Sequence, residues 1–334
     1  MDVPIGIGII GLGAIGRTHA QAIATIPGAR VVAVTGRSDL AGAVRFDAAG
    51  DLLARNDVDV VGICSPPGVH AEQIRLAIEA GKHAVVEKSP TRTAEELAEL
   101  AELAADRGVH ISVVSQQRLL PHPRHIAQLL HSGRLGHPLL GEIRLHWHRP
   151  QSYYEATPWR STDPHAGSLA NQGWHALDLL SWFYGPVQSV GAMTATLGHR
   201  IEVEDTTSAT MRFRSGALGS VVTTTATPPG RPSTLTLLTD QATITLSNST
   251  IEQWDVPAGT PEPPPDSAAG SGAADPTLIG IAGHRALWCD VVDALRDGRA
   301  PTVTAIDGAR TVGLIEAVYE SGRTGTLVTP WNSH

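Results

Sequence analysis

The chain has 334 residues, of which 42% are hydrophobic, and it carries a formal net charge of −8. A negative chain of ordinary composition is not expected to bind nucleic acid or an anionic membrane as its main partner. Its two cysteines exclude a disulfide framework and a cysteine-based zinc site. The length favours two domains, and the absence of a signal-like leader or a long apolar run predicts a cytoplasmic protein.

The first predicted element is a buried parallel strand at residues 5–10, which leads into the glycine motif Gly11-x-Gly13-x-x-Gly16 and a helix. Strand, glycine turn and helix in that order are typical of a dinucleotide-binding site. Gly11 allows the tight turn, Gly13 lets the backbone approach a pyrophosphate, and Gly16 lets the helix pack on the strand. The helix N-terminus attracts the anion. The predicted cofactor contacts here are Gly11, Gly13, Ala14, Ile15 and Gly16.

A second predicted strand, residues 29–34, ends at Thr35-Gly36-Arg37-Ser38. Many dinucleotide folds carry an Asp or Glu near this point to hold the ribose 2′-hydroxyl. Here the carboxylate is missing, and Arg37 with Ser38 can instead hold a 2′-phosphate. We therefore predict a preference for NADP. In the alternative interpretation Arg37 only stacks on the adenine, and NAD remains possible.

Strands and helices alternate up to Gln116, which predicts a doubly wound parallel sheet. The predicted strands lie at residues 44–46, 58–64, 83–86 and 109–114, and the predicted helices lie at 47–55, 70–80 and 94–106. Asp47 is expected to cap the first of these helices, and Thr93 with Glu96 forms a capping box on the last. Open α/β sheets bind ligands at the carboxyl ends of their strands. The cofactor contacts predicted at that edge are Ser65, Pro66, His70, Glu87, Lys88 and Gln116.

Beyond Pro121 and Pro123 the pattern becomes that of a mixed second domain, so we predict domains at residues 1–120 and 121–334. Antiparallel strands are expected at residues 142–148, 206–213, 218–225, 235–239 and 242–246, and helices at 174–182, 283–296 and 306–321. Many outward positions are Thr, Ser or Arg, which predicts one polar sheet face. Residues 257–274, rich in Pro, Gly and Ala, are predicted to form a flexible surface loop.

Two side chains are candidates for proton and charge chemistry. Lys88 follows a strand at the ligand-binding edge and could donate a hydrogen bond to a substrate oxygen, although a surface lysine in a turn is the simpler interpretation. His175 begins a helix, with Asn171 four residues before it and Asp178 three residues after it. An imidazole is the usual proton donor and acceptor at neutral pH. The alternative is a core histidine tied to Asp178.

Two further features of the sequence are the spacing of its histidines and a cluster of aromatic residues. None of the 15 histidines stands in a familiar metal-binding motif, so no metal site is predicted. Tyr153, Tyr154, Trp159 and Arg160 lie close together in sequence. They could form a platform for a sugar ring or could pack between the domains.

In combination these motifs resemble the Gfo/Idh/MocA family, named after glucose–fructose oxidoreductase, inositol dehydrogenase and MocA. The matching segments follow the family order along nearly the whole chain, at residues 11–19, 64–70, 87–90, 153–160, 171–178 and 316–323. The resemblance implies a Rossmann domain followed by an α/β domain with a large, open, mostly antiparallel sheet. In the family that sheet often forms the oligomer interface, which implies a homodimer or homotetramer.

The resemblance also assigns roles to particular residues. Lys88 corresponds to the lysine of the family's Glu-Lys-Pro motif, which here reads Glu87-Lys88-Ser89-Pro90, and His175 corresponds to the catalytic histidine. Asn171 stands where many members have Asp. Trp159 and Arg160 are predicted to contact the cofactor. The predicted substrate contacts are Lys88, Tyr154, Asn171 and His175.

The expected function is that of an NADP-dependent dehydrogenase or reductase. A hydride passes between nicotinamide C4 and a hydroxyl or ketone carbon of a sugar, cyclitol or related ring. Lys88 would stabilise the alkoxide, His175 would relay the proton, and Asn171 would orient the substrate oxygen. Two alternatives stay open: a redox glycosidase of the same family that keeps its cofactor bound, and a nucleotide-sensing regulator without turnover.

Overall fold

The computed structural model describes residues 4–265 and 280–332, and the chain divides into two compact units. The first unit comprises Met1–Gln116 and Ile281–Ala309, and the second comprises Gln117–Gly280 and Arg310–His334. This differs from the single division predicted after residue 120, because a C-terminal segment returns to the first unit. Among the described residues, no helix combines the length and the apolar character needed to cross a membrane.

The strands of the first unit form one six-stranded sheet in the order β3-β2-β1-β4-β5-β6, and every neighbouring pair is parallel. This confirms the predicted doubly wound parallel sheet. The strands are β1 (Ile5–Ile10), β2 (Ala29–Thr35), β3 (Val44–Phe46), β4 (Val60–Ile63), β5 (His83–Val86) and β6 (Ile111–Val113). The intervening helices are α1 (Ala14–Ile23), α2 (Ala49–Leu53), α3 (His70–Glu79) and α4 (Ala94–Asp106).

Two helix caps were predicted in this unit, and one of them is wrong. The Oγ1 of Thr93 accepts a hydrogen bond from the N–H of Glu96 at 3.2 Å, as predicted for α4. The Glu96 carboxylate accepts its bond from the N–H of Arg92, not from that of Thr93, so the predicted capping box forms only in part. The cap predicted from Asp47 does not form, because α2 begins two residues later and its cap position is Ala48. The Asp47 carboxylate instead accepts a hydrogen bond from Arg45 at 2.8 Å.

The second unit is built on a seven-stranded sheet in the order β13-β12-β11-β7-β10-β9-β8. All neighbours are antiparallel except β7 and β10, which confirms the predicted, mostly antiparallel sheet. The edge strands β8 and β13 were not predicted, because neither shows clean apolar alternation. The strands are β7 (Pro138–His146), β8 (Val187–Ala195), β9 (Thr206–Phe213), β10 (Leu218–Thr224), β11 (Thr234–Thr239), β12 (Thr243–Ser247) and β13 (Thr250–Asp255).

The sheet of the second unit has one buried face and one polar face, as its sequence pattern predicts. Along β9, Ala209, Met211 and Phe213 are buried, whereas the alternating Thr210 and Arg212 are exposed. The remaining α-helices of the described residues are α5 (Pro121–His131), α6 (Gln151–Glu155), α7 (Trp159–Thr162), α8 (Trp174–Tyr184), α9 (Ala282–Asp297) and α10 (Ala305–Thr324).

Helix α9 is the segment that returns to the first unit. Its Trp288 is fully buried, and a Cβ added to Gly62 of β4 would lie 3.2 Å from the Trp288 ring. The predicted flexible loop is only partly described. His122 and His125 of α5 bond the carbonyls of Pro264 and Pro261 at 2.9 and 3.0 Å, so this part is anchored to α5. Residues 266–274 of that prediction lie outside the described residues.

Candidate active site

The glycine loop between β1 and α1 contains three glycines, and the fold requires two of them, Gly11 and Gly16, but not Gly13. Gly11 has a φ of +97°, and a Cβ there would lie 2.8 Å from the backbone of Cys64. A Cβ on Gly16 would lie 2.2 Å from the Gly11 carbonyl oxygen. These contacts account for the tight turn and for the close packing of helix on strand. A Cβ on Gly13 would meet no protein atom within 4 Å.

The N-terminus of α1 has the chemistry of an anion site. Gly13 occupies the cap position, so no side chain bonds the first N–H groups of the helix, and the first turn contains no acidic residue. Such N–H groups and the positive end of the helix dipole favour a phosphate. Because the side of Gly13 is open and exposed, the loop fits the pyrophosphate of a dinucleotide.

Substitutions at Gly13 and Gly16 should separate binding from folding. The methyl group of Gly13→Ala enters the space that a pyrophosphate needs, so we expect cofactor affinity to fall by about tenfold or more, which is about 1.4 kcal/mol, with little change in melting temperature. Gly16→Ala should lower the melting temperature because its Cβ collides with backbone. Fluorescence titration and thermal unfolding measure the two effects. Unchanged affinity in Gly13→Ala would contradict the assigned approach.

The loop after β2 explains why a carboxylate is missing at the predicted ribose site. Thr35 holds the glycine loop, since its Oγ1 accepts a hydrogen bond from Gly11 N at 3.1 Å and its carbonyl accepts one from Leu12 N at 2.8 Å. Gly36 has a φ of +132°, and a Cβ there would lie 3.0 Å from Leu12 N. A side chain at position 36 is therefore both strained and crowded, whereas Arg37 is exposed.

Arg45 is a second cation beside this loop, and it was not among the predicted site residues. Its guanidinium donates to the Gly36 carbonyl at 3.3 Å and pairs with Asp39 at 3.2 Å and Asp47 at 2.8 Å. The available signal was the short strand β3, which pairs with β2 and places Arg45 opposite Val34. The Asp39 carboxylate is therefore engaged by a neighbouring arginine.

His70 joins two loops at the carboxyl edge of the first sheet. Its Nδ1 lies 2.9 Å from the carbonyl oxygen of Ser89, and its Nε2 lies 2.8 Å from that of Ser65. The ring is fully buried, which argues against the predicted direct contact with a cofactor. Pro66, in contrast, is exposed, and Gln116 is buried. The contacts predicted for Ser65, Pro66 and Gln116 stay predictions.

Glu87 is buried behind Lys88 and takes part in a chain of hydrogen bonds. Its Oε1 accepts from His19 Nε2 at 3.0 Å, and its Oε2 accepts from the backbone N–H of Lys88 at 3.2 Å. Trp288 Nε1 donates to His19 Nδ1 at 2.8 Å, and His284 Nε2 lies 3.7 Å from Oε1. Burial alone would raise the pKa of Glu87, but the bond from His19 and the nearby His284 bring it well below its usual value. Both oxygens of the buried carboxylate are thus hydrogen-bonded within the protein. The cofactor contact predicted for Glu87 stays a prediction.

Three potential metal ligands meet in this cluster, although they are far apart in sequence. The ligand atoms of His19, Glu87 and His284 lie within 4.8 Å of one another. However, His19 Nδ1 accepts the Trp288 N–H, so a neutral His19 carries its proton on Nε2. That nitrogen then has no lone pair to give a metal ion, and burial lowers the pKa of His19. The donor set fits a hydrogen-bonded charge cluster and does not fit a metal site.

In the second unit, Asn171 and His175 lie at the start of α8. Asn171 belongs to a π-helical turn, Ser168–Gly173, that runs directly into this helix. Both side chains are half-buried. Such turns are frequent at functional sites because they change which way side chains point.

A half-buried carboxylate from the connection between β8 and β9 fixes the start of this turn. Glu204 accepts hydrogen bonds from Ser168 Oγ at 2.6 Å, Leu169 N at 2.8 Å and Tyr319 OH at 3.0 Å. Burial raises the pKa of Glu204 despite these bonds. No sequence pattern indicates Glu204, because its partners are 35 or more residues away.

Asp178 does not act as the tether that we considered for His175. Its two oxygens accept hydrogen bonds from Arg118 Nε at 2.8 Å and Nη2 at 2.7 Å, and Oδ1 also accepts one from Thr311 at 3.0 Å. Asp178 and Arg118 are both buried. This bidentate pair holds α8, the helix that carries His175.

The aromatic cluster contains one core residue and several more accessible ones. Tyr154 is buried, its hydroxyl lies 2.6 Å from Thr225 Oγ1, and burial raises the pKa of Tyr154 to about 12. This placement argues against the predicted contact with a substrate. The Arg160 guanidinium carbon lies 4.2 Å above the Tyr153 ring, and both residues are half-buried, as is Trp159. The cofactor contacts of Trp159 and Arg160 stay predictions.

Comparison with known proteins decides the family. Residues 5–115 match the family model described as "Oxidoreductase family, NAD-binding Rossmann fold", and residues 124–245 match the "GFO/IDH/MocA C-terminal domain". The chain belongs to the Gfo/Idh/MocA family. It is therefore an oxidoreductase-family protein with an NAD-binding Rossmann fold, and the resemblance inferred from the motifs is confirmed.

Three Gfo/Idh/MocA relatives illustrate the range of similarity. An uncharacterized oxidoreductase of Bacillus subtilis, YrbE, is 30% identical over 66% of this chain and 67% of its own. D-apiose dehydrogenase of Paraburkholderia graminis is 26% identical over 96% of this chain and 88% of its own. The WlbA dehydrogenase of Bordetella pertussis, solved with NADH and UDP-GlcNAcA, is 30% identical with a TM-score of 0.86, covering 100% of this chain and 99% of WlbA.

Within the Gfo/Idh/MocA fold the predicted site residues fall into two groups. The glycine loop, Arg37 and Lys88 belong to the first unit, and Asn171 and His175 belong to the second. In the second unit, Glu204 holds the turn that carries Asn171, and the Arg118–Asp178 pair holds the helix that carries His175. The roles assigned to these residues stay predictions.

Proposed function

We propose that the protein is an NADP-dependent oxidoreductase that acts on a hydroxyl or ketone carbon of a sugar, a cyclitol or a related ring. The observation that carries the proposal is the glycine loop, where the fold leaves Gly13 open beside an uncapped helix N-terminus. The relatives support the substrate class, since one is named for D-apiose and another was solved with a nucleotide sugar.

The proposed chemistry assigns roles to three side chains, those of Lys88, His175 and Asn171. The nicotinamide supplies or accepts the hydride when it is bound. The Lys88 ammonium donates a hydrogen bond to the substrate oxygen and stabilises the alkoxide that forms as the hydride moves. His175 accepts or returns the proton, because an imidazole exchanges protons near neutral pH. Asn171 orients the same oxygen, and its amide leaves the proton transfer to Lys88 and His175.

Electrostatics at the ribose edge supports the NADP preference. Position 36 has no room for a carboxylate, and Asp39 is paired with Arg45. The exposed guanidinium of Arg37 therefore stands beside the loop without a competing acid at position 36. A 2′-phosphate is the anion that such an arginine holds in a bidentate manner.

Arg37→Ala should weaken NADPH binding by about tenfold or more, the loss expected for one charge-assisted phosphate contact, and should leave NADH binding nearly unchanged. Fluorescence titration with both cofactors measures this selectivity. Arg30→Ala is the matched control, since Arg30 is also exposed and lies at the opposite end of β2. Equal or tighter binding of NADH by the unaltered protein would contradict the proposal.

A turnover assay separates this proposal from the two alternatives. Oxidation of free NADPH by keto-sugars or ketocyclitols, or its formation from the alcohols, supports the oxidoreductase. A redox glycosidase would release cofactor only on denaturation and would show no net redox change. Binding without turnover would indicate a sensor.

We also propose that the polar sheet face of the second unit joins copies into a homodimer or homotetramer.

A further inference from the structure

Trp288, His19 and Glu87 form a buried cluster next to Lys88, and they are joined by a chain of hydrogen bonds in which each donor and acceptor can be assigned. Trp288 can only donate through its indole N–H, so His19 Nδ1 must accept at this 2.8 Å contact. A neutral His19 then carries its proton on Nε2, which faces Glu87 Oε1 at 3.0 Å. Each step fixes the next, and the chain ends at the backbone N–H of Lys88, 3.2 Å from Glu87 Oε2.

We propose that Trp288 locks the tautomer of His19 and thereby positions Lys88 through the Glu87 carboxylate. This inference rests on the proposed role of Lys88. His19, Glu87 and Trp288 are positioning residues, because their burial keeps them from the substrate. The carboxylate suits the position because both of its oxygens meet donors, and a carboxylate has no proton to oppose them.

Glu87→Gln keeps the shape but creates a conflict between donors. A glutamine has one acceptor oxygen, so its NH₂ group must face either the His19 Nε2–H or the Lys88 N–H. Trp288 prevents His19 from moving its proton to Nδ1 and relieving the conflict. We expect turnover to fall by about tenfold or more through displacement of Lys88, with NADPH affinity nearly unchanged.

Trp288→Phe should have a small effect on turnover when introduced alone, because the Glu87 anion still favours the Nε2–H tautomer of His19. In the Glu87→Gln background, however, the phenylalanine frees His19 to carry its proton on Nδ1. Its Nε2 can then accept from the glutamine NH₂, while the glutamine oxygen accepts from Lys88. The double variant should therefore recover most of the lost turnover, a coupling that independent sites do not show.

The melting temperature of the double variant should fall although its turnover recovers. This difference separates a positioning role from a merely structural one. The double variant buries a His19 Nδ1–H without its former partner, so its melting temperature should lie below that of either single variant. Leu287→Val is the matched control, since Leu287 is fully buried on the same helix. It should lower the melting temperature without changing turnover and without rescuing Glu87→Gln.

Several results would overturn the inference. Wild-type turnover in Glu87→Gln would contradict the proposed link between Glu87 and Lys88. Turnover of the double variant no higher than that of Glu87→Gln would contradict the tautomer lock. The ¹⁵N shifts of His19 in the unaltered protein, assigned with His19→Gln, test the lock even if Trp288→Phe does not fold. A proton on Nδ1 contradicts it. If Lys88→Ala keeps its turnover, the role proposed for Lys88 fails, whereas the ¹⁵N shifts still decide the lock.

Discussion

Lys88→Ala is expected to lower turnover by about 10²- to 10⁴-fold, the range for loss of one positioned acid–base group. The ammonium is the group that we assign to the substrate oxygen, so its removal leaves the developing alkoxide without a charged donor. NADPH binding should remain close to that of the unaltered protein, because the glycine loop and Arg37 lie on other strand ends. Steady-state assays and fluorescence titration measure the two quantities.

The chain provides an unusually clean control for this experiment. It has only two lysines, Lys82 and Lys88. Lys82 donates to the carbonyl of Arg55 at 3.0 Å, just before β5 begins. Lys82→Ala should therefore keep full turnover. With two lysines, ¹³C-methylated protein gives two resolvable side-chain signals, and only that of Lys88 should respond to substrate. Turnover that survives Lys88→Ala would reject the assigned role.

Features set by short-range chemistry were predictable from the sequence. The glycine loop is an example, because Gly11 and Gly16 are required by contacts among neighbouring elements, and their spacing is visible directly. The parallel sheet followed from alternating strands and helices. The cap at Thr93 was also predictable, since the Thr-x-x-Glu pattern lies within one turn.

Features set by long-range packing were not predictable from one sequence. Helix α9 belongs to the first unit because Trp288 packs against Gly62, more than 200 residues earlier. The apolar periodicity of α9 indicates that one face is buried, but it does not indicate which sheet that face packs against. The same limit applies to the cluster behind Lys88, whose members His19, Glu87 and His284 come from three separated segments.

The direction in which a side chain points was also not predictable from the sequence. His70 and Tyr154 follow family motifs, yet both are buried and bonded within their own units. A motif locates a residue near a strand end or a helix start, but the local backbone decides whether the side chain faces a ligand or the core. Glu87, predicted as a cofactor contact, is likewise buried, and its oxygens accept hydrogen bonds from His19 and from the Lys88 N–H.

Arg118→Met is expected to lower the free energy of unfolding of the second unit by about 3–5 kcal/mol, the cost of leaving a buried charge without its partner. Asp178 is 1% exposed and loses two charge-assisted bonds, at 2.7 and 2.8 Å, in this variant. Thr311 alone cannot neutralise the carboxylate, because a hydroxyl carries no charge. Since Asp178 follows His175 by one turn on α8, turnover should fall together with stability.

The double variant Arg118→Met/Asp178→Leu separates the charge from the packing. Replacing a buried ion pair by apolar side chains of similar volume is often nearly neutral, so the double variant should melt well above Arg118→Met alone. Thermal unfolding of the unaltered protein, Arg118→Met, Asp178→Leu and the double variant closes the cycle and gives the coupling between Arg118 and Asp178. If the single variant is as stable as the double, the pair is not a buried charge pair in solution. If the double regains stability but not turnover, the pair also sets the orientation of α8, and the position of His175 depends on Arg118.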